Sequence, residues 1–310
     1  MTEYLTAKPG KQPKDYTFLQ AWIQYMEEGI SRSRQPFSAS TQKAYKGLWR
    51  KWINPKLRTR KISAFTPLEM KTFIKELRTN KLADKTVTLV VTLVRSIIRS
   101  VRDDQGNRVF ATLYDADFID LPEVRKRDQK TPSITREQLE AAIASEDETA
   151  LLLIFLASTG LRVGEALAVR PGNLQDEVSH YWAGTVYVRT QQRGGPLKTD
   201  AGRRAVEVPT EVHEYLAKHL DPKSEYLFSR PEAWYRERLK ERGVPGFHSA
   251  RRFYRTTLSD SEATPYIVQK YWMGHEISND VSERYDKLAS SASKRRDIRN
   301  RIPKGFDLPI

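Results

Sequence analysis

From Tyr16 to about Arg102, apolar residues recur every three to four positions, the spacing that keeps one face of an α-helix against a core. Phe18, Leu19, Trp22, Ile23 and Met26 mark a first helix. In a second, Tyr45, Leu48, Trp49 and Trp52 share one side, while Lys43, Lys46 and Arg50 project opposite at about 100° per residue. A third opens at Thr66-Pro67-Leu68-Glu69 and carries Met70, Phe73, Ile74 and Leu77. This opening is a capping box with proline at the first helical position, where no backbone N–H is needed. The fourth buries Val87, Val90, Val91, Val94, Ile97, Ile98 and Val101 and sets Arg95, Arg99 and Arg102 along one flank. The pattern predicts a compact helical bundle with cationic flanks.

The periodicity then breaks. Asp103 to Asn107 reads as a turn, and the charged, proline-bounded stretch from Pro122 to Pro132, with Arg125, Lys126, Arg127 and Lys130, reads as an interdomain linker. Thr135 and Gln138 form another capping box, followed by Leu139, Ala142 and Ile143. A helix from Thr149 to Ser158, expected to be buried, stops at Gly160, a candidate left-handed cap. Val186, Tyr187 and Val188 read as a strand paired with Arg204 to Val208 across a hairpin from Gln191 to Gly202, and helices resume from about Glu211. The fold class is therefore mainly α with a small β-sheet. The expected organisation is a disordered N-terminal segment at 1–15, a helical domain at 16–121, a basic linker at 122–132, a second domain at 133–290 and a tail at 291–310. Ile298 and Ile302 give that basic tail a narrow apolar stripe, which predicts docking between subunits.

Composition narrows the partner. Lysine and arginine outnumber aspartate and glutamate by 53 to 39 in 310 residues, a net charge of +14 that points to a polyanion. Anionic lipid fits less well, because the longest apolar run, Ala150 to Ala157, is too short to span a bilayer. No cysteine is present, which removes disulfides, thiol catalysis and cysteine-based zinc. The polar start, Met1 to Lys14, lacks the features of a signal peptide, and a cytoplasmic, DNA-associated setting is the expectation.

Against this background an ordered set of polar groups stands out. Thr159-Gly160-Leu161-Arg162-Val163-Gly164-Glu165 is followed by Lys198-Thr199, His248-Ser249-Ala250-Arg251, Gly274-His275 and Tyr285. Breaking a DNA strand without metal or external energy needs a nucleophile, positive charge around the phosphate and a proton for the departing 5′ oxygen. Arg162 and Arg251 offer fork-shaped donors for the two non-bridging oxygens. Alone, Arg162 would read as a surface ion pair with Glu165 one turn later. His248 and Arg251, three apart, fall on one helix face. Arg252 is a further candidate for phosphate contact. Lys198, in the hairpin, suits protonation of the leaving oxygen, with Arg193, Arg203 and Arg204 as nearby competitors for a cationic role. His275, after a glycine that suits a helix cap, can donate to a phosphate oxygen. Tyr285, whose phenol needs a base or cationic field to ionise, follows ten residues later.

These boxes, in this order, resemble the catalytic domain of the tyrosine recombinase, or phage integrase, family, and residues 16 to about 102 look like its helical core-binding domain. The resemblance implies a site-specific recombinase in which Tyr285 forms a 3′-phosphotyrosyl link, His248 serves as its base, Lys198 as acid, and Arg162, Arg251 and His275 surround the phosphate. It implies no metal or cofactor. The implied partners are double-stranded DNA with inverted-repeat recombination sites, further copies of the chain in a tetramer on that DNA, and accessory DNA-bending proteins. Lys43, Lys46, Arg50, Arg95, Arg99 and Arg102 are the expected DNA-binding residues. The sequence departs from the family in two places: in many members the tyrosine stands nine positions after this histidine rather than ten, and the box around Lys198 is looser. A type IB topoisomerase, which usually has lysine where His248 stands, and a non-enzymatic DNA-binding factor are the alternatives.

Overall fold

The structure, a computed structural model, describes residues 15–29, 36–103, 105–110, 115–124, 132–174, 177–191, 195–197, 200–275 and 291–309. It divides into two units, Met1–Lys130 and Thr131–Ile310. Among the described residues, no helix is long and apolar enough to cross a membrane.

The first unit is a helical bundle of α1 (Phe18–Glu27), α2 (Ala39–Leu48), a π-helical turn (Trp49–Ile53), α3 (Asn54–Leu57), α4 (Pro67–Thr79) and α5 (Asp84–Ser100). The capping box at α4 forms as its sequence predicts. Glu69 N–H donates to Thr66 Oγ1 at 3.3 Å and Thr66 N–H to Glu69 Oε2 at 2.8 Å. Val87, Val90, Val91, Val94, Ile97, Ile98 and Val101 are buried in one core with Phe18, Trp22, Phe73 and Ile74. Trp22 and Trp49 stack there with ring centroids 4.7 Å apart. The second predicted helix is not continuous: its last turn widens into the π-helical segment, which carries Trp49 and Ile53 into the core.

The second unit wraps helices around a four-stranded sheet of order β1 (Arg170–Pro171), β2 (His180–Trp182), β3 (Thr185–Val188) and β4 (Arg204–Glu207). The predicted β3/β4 pairing is present with Tyr187 opposite Ala205; β1 and β2, which no local pattern announces, extend it. The helices are α6 (Arg136–Ile143), α7 (Glu148–Thr159), α8 (Val163–Ala166), α9 (Thr210–His219), α10 (Glu232–Glu241), α11 (Phe247–Asp260), α12 (Tyr266–Trp272) and α13 (Ala292–Arg301). Residues Thr149–Thr159 of α7 are buried on every side, so this helix forms the axis against which α6, α9 and α11 pack.

The tail departs from expectation. Ile298 and Ile302, predicted to dock on another subunit, pack into the core of their own unit together with Phe306. The inward face also takes in two of the tail's basic residues: Arg295 and Arg299 are 3% and 1% exposed. Arg295 donates from Nε to Glu207 Oε1 at 2.9 Å, and Arg296 donates to Thr185 Oγ1 at 2.6 Å. These long-range partners give α13 a broader inward face than its apolar residues alone describe.

Candidate active site

The site begins where α7 stops. Gly160 adopts φ 64°, the left-handed cap expected of it, and side chains are excluded there twice over: a Cβ would lie 2.2 Å from a ring carbon of Tyr254. The chain emerges in extended conformation, and Arg162 (φ −71°, ψ 147°) caps the short helix α8. Its backbone N–H donates to Glu165 Oε2 at 2.9 Å and its Nη1 to Glu165 Oε1 at 2.8 Å. The ion pair that sequence spacing allows is thus formed, but not as a surface pair. Glu165 is 2% exposed and is gripped from the other side by Arg204, with Nη2 to Oε2 at 2.9 Å. Burial pushes the Glu165 carboxyl up, while the Arg204 charge and the hydrogen bonds from Arg204 and Arg162 outweigh it and bring it down to about 2.

Arg251 lies on α11, one turn after His248. It is 3% exposed, and its guanidinium spans two turns of the chain: Nη1 donates to Gly160 O and Nη2 to Met273 O, each at 2.5 Å. One planar group therefore fixes the segment presenting Arg162 against the segment presenting His275. Burial first, then the charges of Arg162 and Arg204, lower the Arg251 pKa to about 9, so it remains cationic at neutral pH.

Both histidines feel the same cations. Desolvation, followed by Arg252, Arg251 and Arg162, lowers the pKa of His248. Desolvation, followed by Arg251, Arg255, Arg162 and Arg204, lowers that of His275. Each imidazole is accordingly neutral at pH 7, which leaves His248 able to accept a proton and His275 able to donate an N–H. His275 follows Gly274, whose φ of 59° turns the chain out of α12.

Arg162, His248, Arg251 and His275 are thus brought together from three separate segments: the start of α8, α11 and the turn after α12. Lys198 and Tyr285 lie outside the described residues. Arg252, a further candidate from sequence, donates its guanidinium to the Pro132 carbonyl instead. Arg204, named from sequence only as a competitor for the cationic role of Lys198, enters the site instead as a buried support of Glu165, which spacing does not disclose. Among the described residues, no three His, Asp or Glu side chains come together as metal ligands.

In the first unit Lys43, Lys46 and Arg50 are exposed and line one cleft with Ala39, Gln42 and Gly47. The other basic flank is less open: Arg102 is exposed, whereas Arg95 and Arg99 are half-buried, and Arg95 Nε is buried with no hydrogen-bond acceptor among the described residues.

No protein-family model matches the chain, and no curated protein does. Solved structures do. The Tn1549 transposon integrase in complex with transposon right end DNA is 16% identical, with a TM-score of 0.62 over 91% of this chain and 98% of that one. A lambda integrase dimer bound to a COC′ core site is 15% identical, with a TM-score of 0.57 over 93% of this chain and 79% of that one. A lambda integrase tetramer bound to a Holliday junction is 13% identical, with a TM-score of 0.58 over 86% and 79%. The chain has the fold of the tyrosine recombinases, with the mainly helical catalytic domain and small sheet of the integrases among them.

Proposed function

We propose that this protein is a site-specific DNA recombinase of the integrase type, which cuts and rejoins duplex DNA through a 3′-phosphotyrosyl intermediate and works as a tetramer on two inverted-repeat sites. The observation that carries this reading is the Arg251 guanidinium joining Gly160 O to Met273 O, because that bridge assembles both arginines and both histidines around one position in a recombinase fold.

In this reading the Tyr285 hydroxyl gives its proton to neutral His248 and its oxygen attacks phosphorus. The bond to the 5′ oxygen breaks as Lys198 transfers a proton to that oxygen. Arg162 and Arg251 take the negative charge that accumulates on the non-bridging oxygens, and His275 adds a hydrogen bond; each charge-assisted bond of this kind contributes about 1.5–3 kcal/mol. A 5′ hydroxyl from the partner strand reverses the sequence, so phosphate bond energy is conserved without a metal or nucleotide. Lys43, Lys46 and Arg50 supply phosphate contacts from the first unit.

The test is covalent capture. The full chain is incubated with a library of nicked duplexes, the mixture is denatured, and DNA that stays attached to protein is sequenced. The expected outcome is a recovered inverted-repeat site and no attachment by Tyr285→Phe, which removes only the phenolic oxygen. Attachment at undiminished yield by that variant, or none by the unsubstituted chain, overturns the proposal. On the recovered site, Lys198→Ala is expected to be slow with ordinary DNA and largely restored when sulfur replaces the bridging 5′ oxygen, since a thiolate leaves without an acid.

A further inference from the structure

Arg204 lies in β4 with its side chain wholly withdrawn from solvent. Its guanidinium reaches three separate segments. Nε donates to Trp272 O at 2.8 Å, just before the Gly274-His275 turn. Nη1 donates to Gly202 O at 2.8 Å, just before β4. Nη2 donates to Glu165 Oε2 at 2.9 Å, and Nη1 stands 3.5 Å from Oε1.

The carboxylate at the centre of this arrangement has donors on both sides, Arg204 from within and the backbone and guanidinium of Arg162 from the outer side. A fully buried ion pair is a poor source of stability, because well-packed apolar residues of similar volume commonly do as well. What apolar residues cannot do is hold a carboxylate in one orientation and so aim the outer arginine. The close approach of Gly274, where a Cβ would stand 2.7 Å from Arg204 Nη1, shows that the turn before His275 is built against the same group.

We propose that Arg204 is a positioning residue: by fixing Glu165 it directs the Arg162 guanidinium at the phosphate, and through Trp272 O it keeps the His275 turn in place. The inference rests on the recombinase reading for the identity of that phosphate as a DNA linkage, but its effect on anion capture is independent of it.

The probe is inorganic phosphate, titrated into the full chain and followed through the side-chain N–H resonance of Arg162 and the ring protons of His275. Arg204→Lys keeps the charge and loses the fork. It is expected to weaken phosphate about tenfold or more, the scale of one charge-assisted hydrogen bond, and to add nothing to the loss caused by Arg162→Ala when the two are combined. If Arg204→Lys does not fold, Glu165→Met/Arg204→Met, which leaves no buried charge, is expected to fold and to show the same loss. Unchanged phosphate affinity in a folded variant, or losses that multiply with Arg162→Ala, overturns the proposal. On any duplex that the unsubstituted chain attaches to covalently, Arg204→Lys is expected to cut slowly while binding normally. A chain that attaches to no duplex defeats the recombinase reading and leaves the phosphate titration to decide the role of Arg204.

Discussion

Gly274 and Arg204 are in contact across 70 residues of sequence: a methyl group added at Gly274 would meet Arg204 Nη1 at 2.7 Å and Cζ at 3.0 Å. The backbone that presents His275 is therefore laid directly on the guanidinium that holds Glu165.

Gly274→Ala is expected to destabilise the protein by about 2–4 kcal/mol, since it adds left-handed strain at φ 59° to a steric conflict with a buried group that has no room to retreat. Chemical denaturation measures it. A loss below about 1 kcal/mol would show that Arg204 moves aside freely.

Glu165 makes the protein sensitive to acid. Its carboxyl is held at about 2 against 4.5 when unperturbed. A depressed folded-state value stabilises the fold above the unfolded pKa, and the contribution is lost as pH falls from 4.5 toward 2. It amounts to about 3 kcal/mol. Glu165→Gln, which cannot titrate, is expected to be less stable at pH 7 and to converge with the unsubstituted protein in acid. Two unfolding curves separated by a constant gap down to pH 2 contradict this.

Neutralising Lys43, Lys46 and Arg50, which share one cleft, is expected to reduce the slope of log K for duplex DNA against log salt by about 0.9 for each phosphate contact removed. The helical circular dichroism of the first unit should be unchanged, because all three side chains are exposed. An unaltered slope places this face in solvent.

Truncation after Ser293 removes Arg295, Arg299, Ile302 and Phe306, all buried in the second unit. Deleting Arg295 alone strips Glu207 of a partner, and breaking a buried pair costs about 3–5 kcal/mol. The truncated chain is expected to melt well below the full chain as a monomer. Equal melting temperatures mean that the segment contributes nothing to its own domain.

What the sequence determined by itself is the part governed by near neighbours. The inward faces of α4 and α5, the caps at Thr66 and Thr135, the stop at Gly160 and the pairing of β3 with β4 follow from spacing, backbone sterics and local hydrogen bonds. The chemical character of Arg162, His248, Arg251 and His275 was equally legible, because residue type and order along the chain survive any fold. What tertiary structure alone decided is which charges leave water. Glu165, Arg204, Glu207, Arg295 and Arg299 are all buried, and their partners lie from three to nearly ninety positions away, the guanidinium of Arg299 standing over the Tyr254 ring. β1 and β2 were hidden for a related reason: strands of two and three residues have too few positions to show alternation, and they form because β3 offers an edge to β2 and β2 in turn offers one to β1. A buried charge depends on the polar groups or ring faces that the assembled fold brings against it, so its burial is a property of that fold and has no signature in the residues beside it.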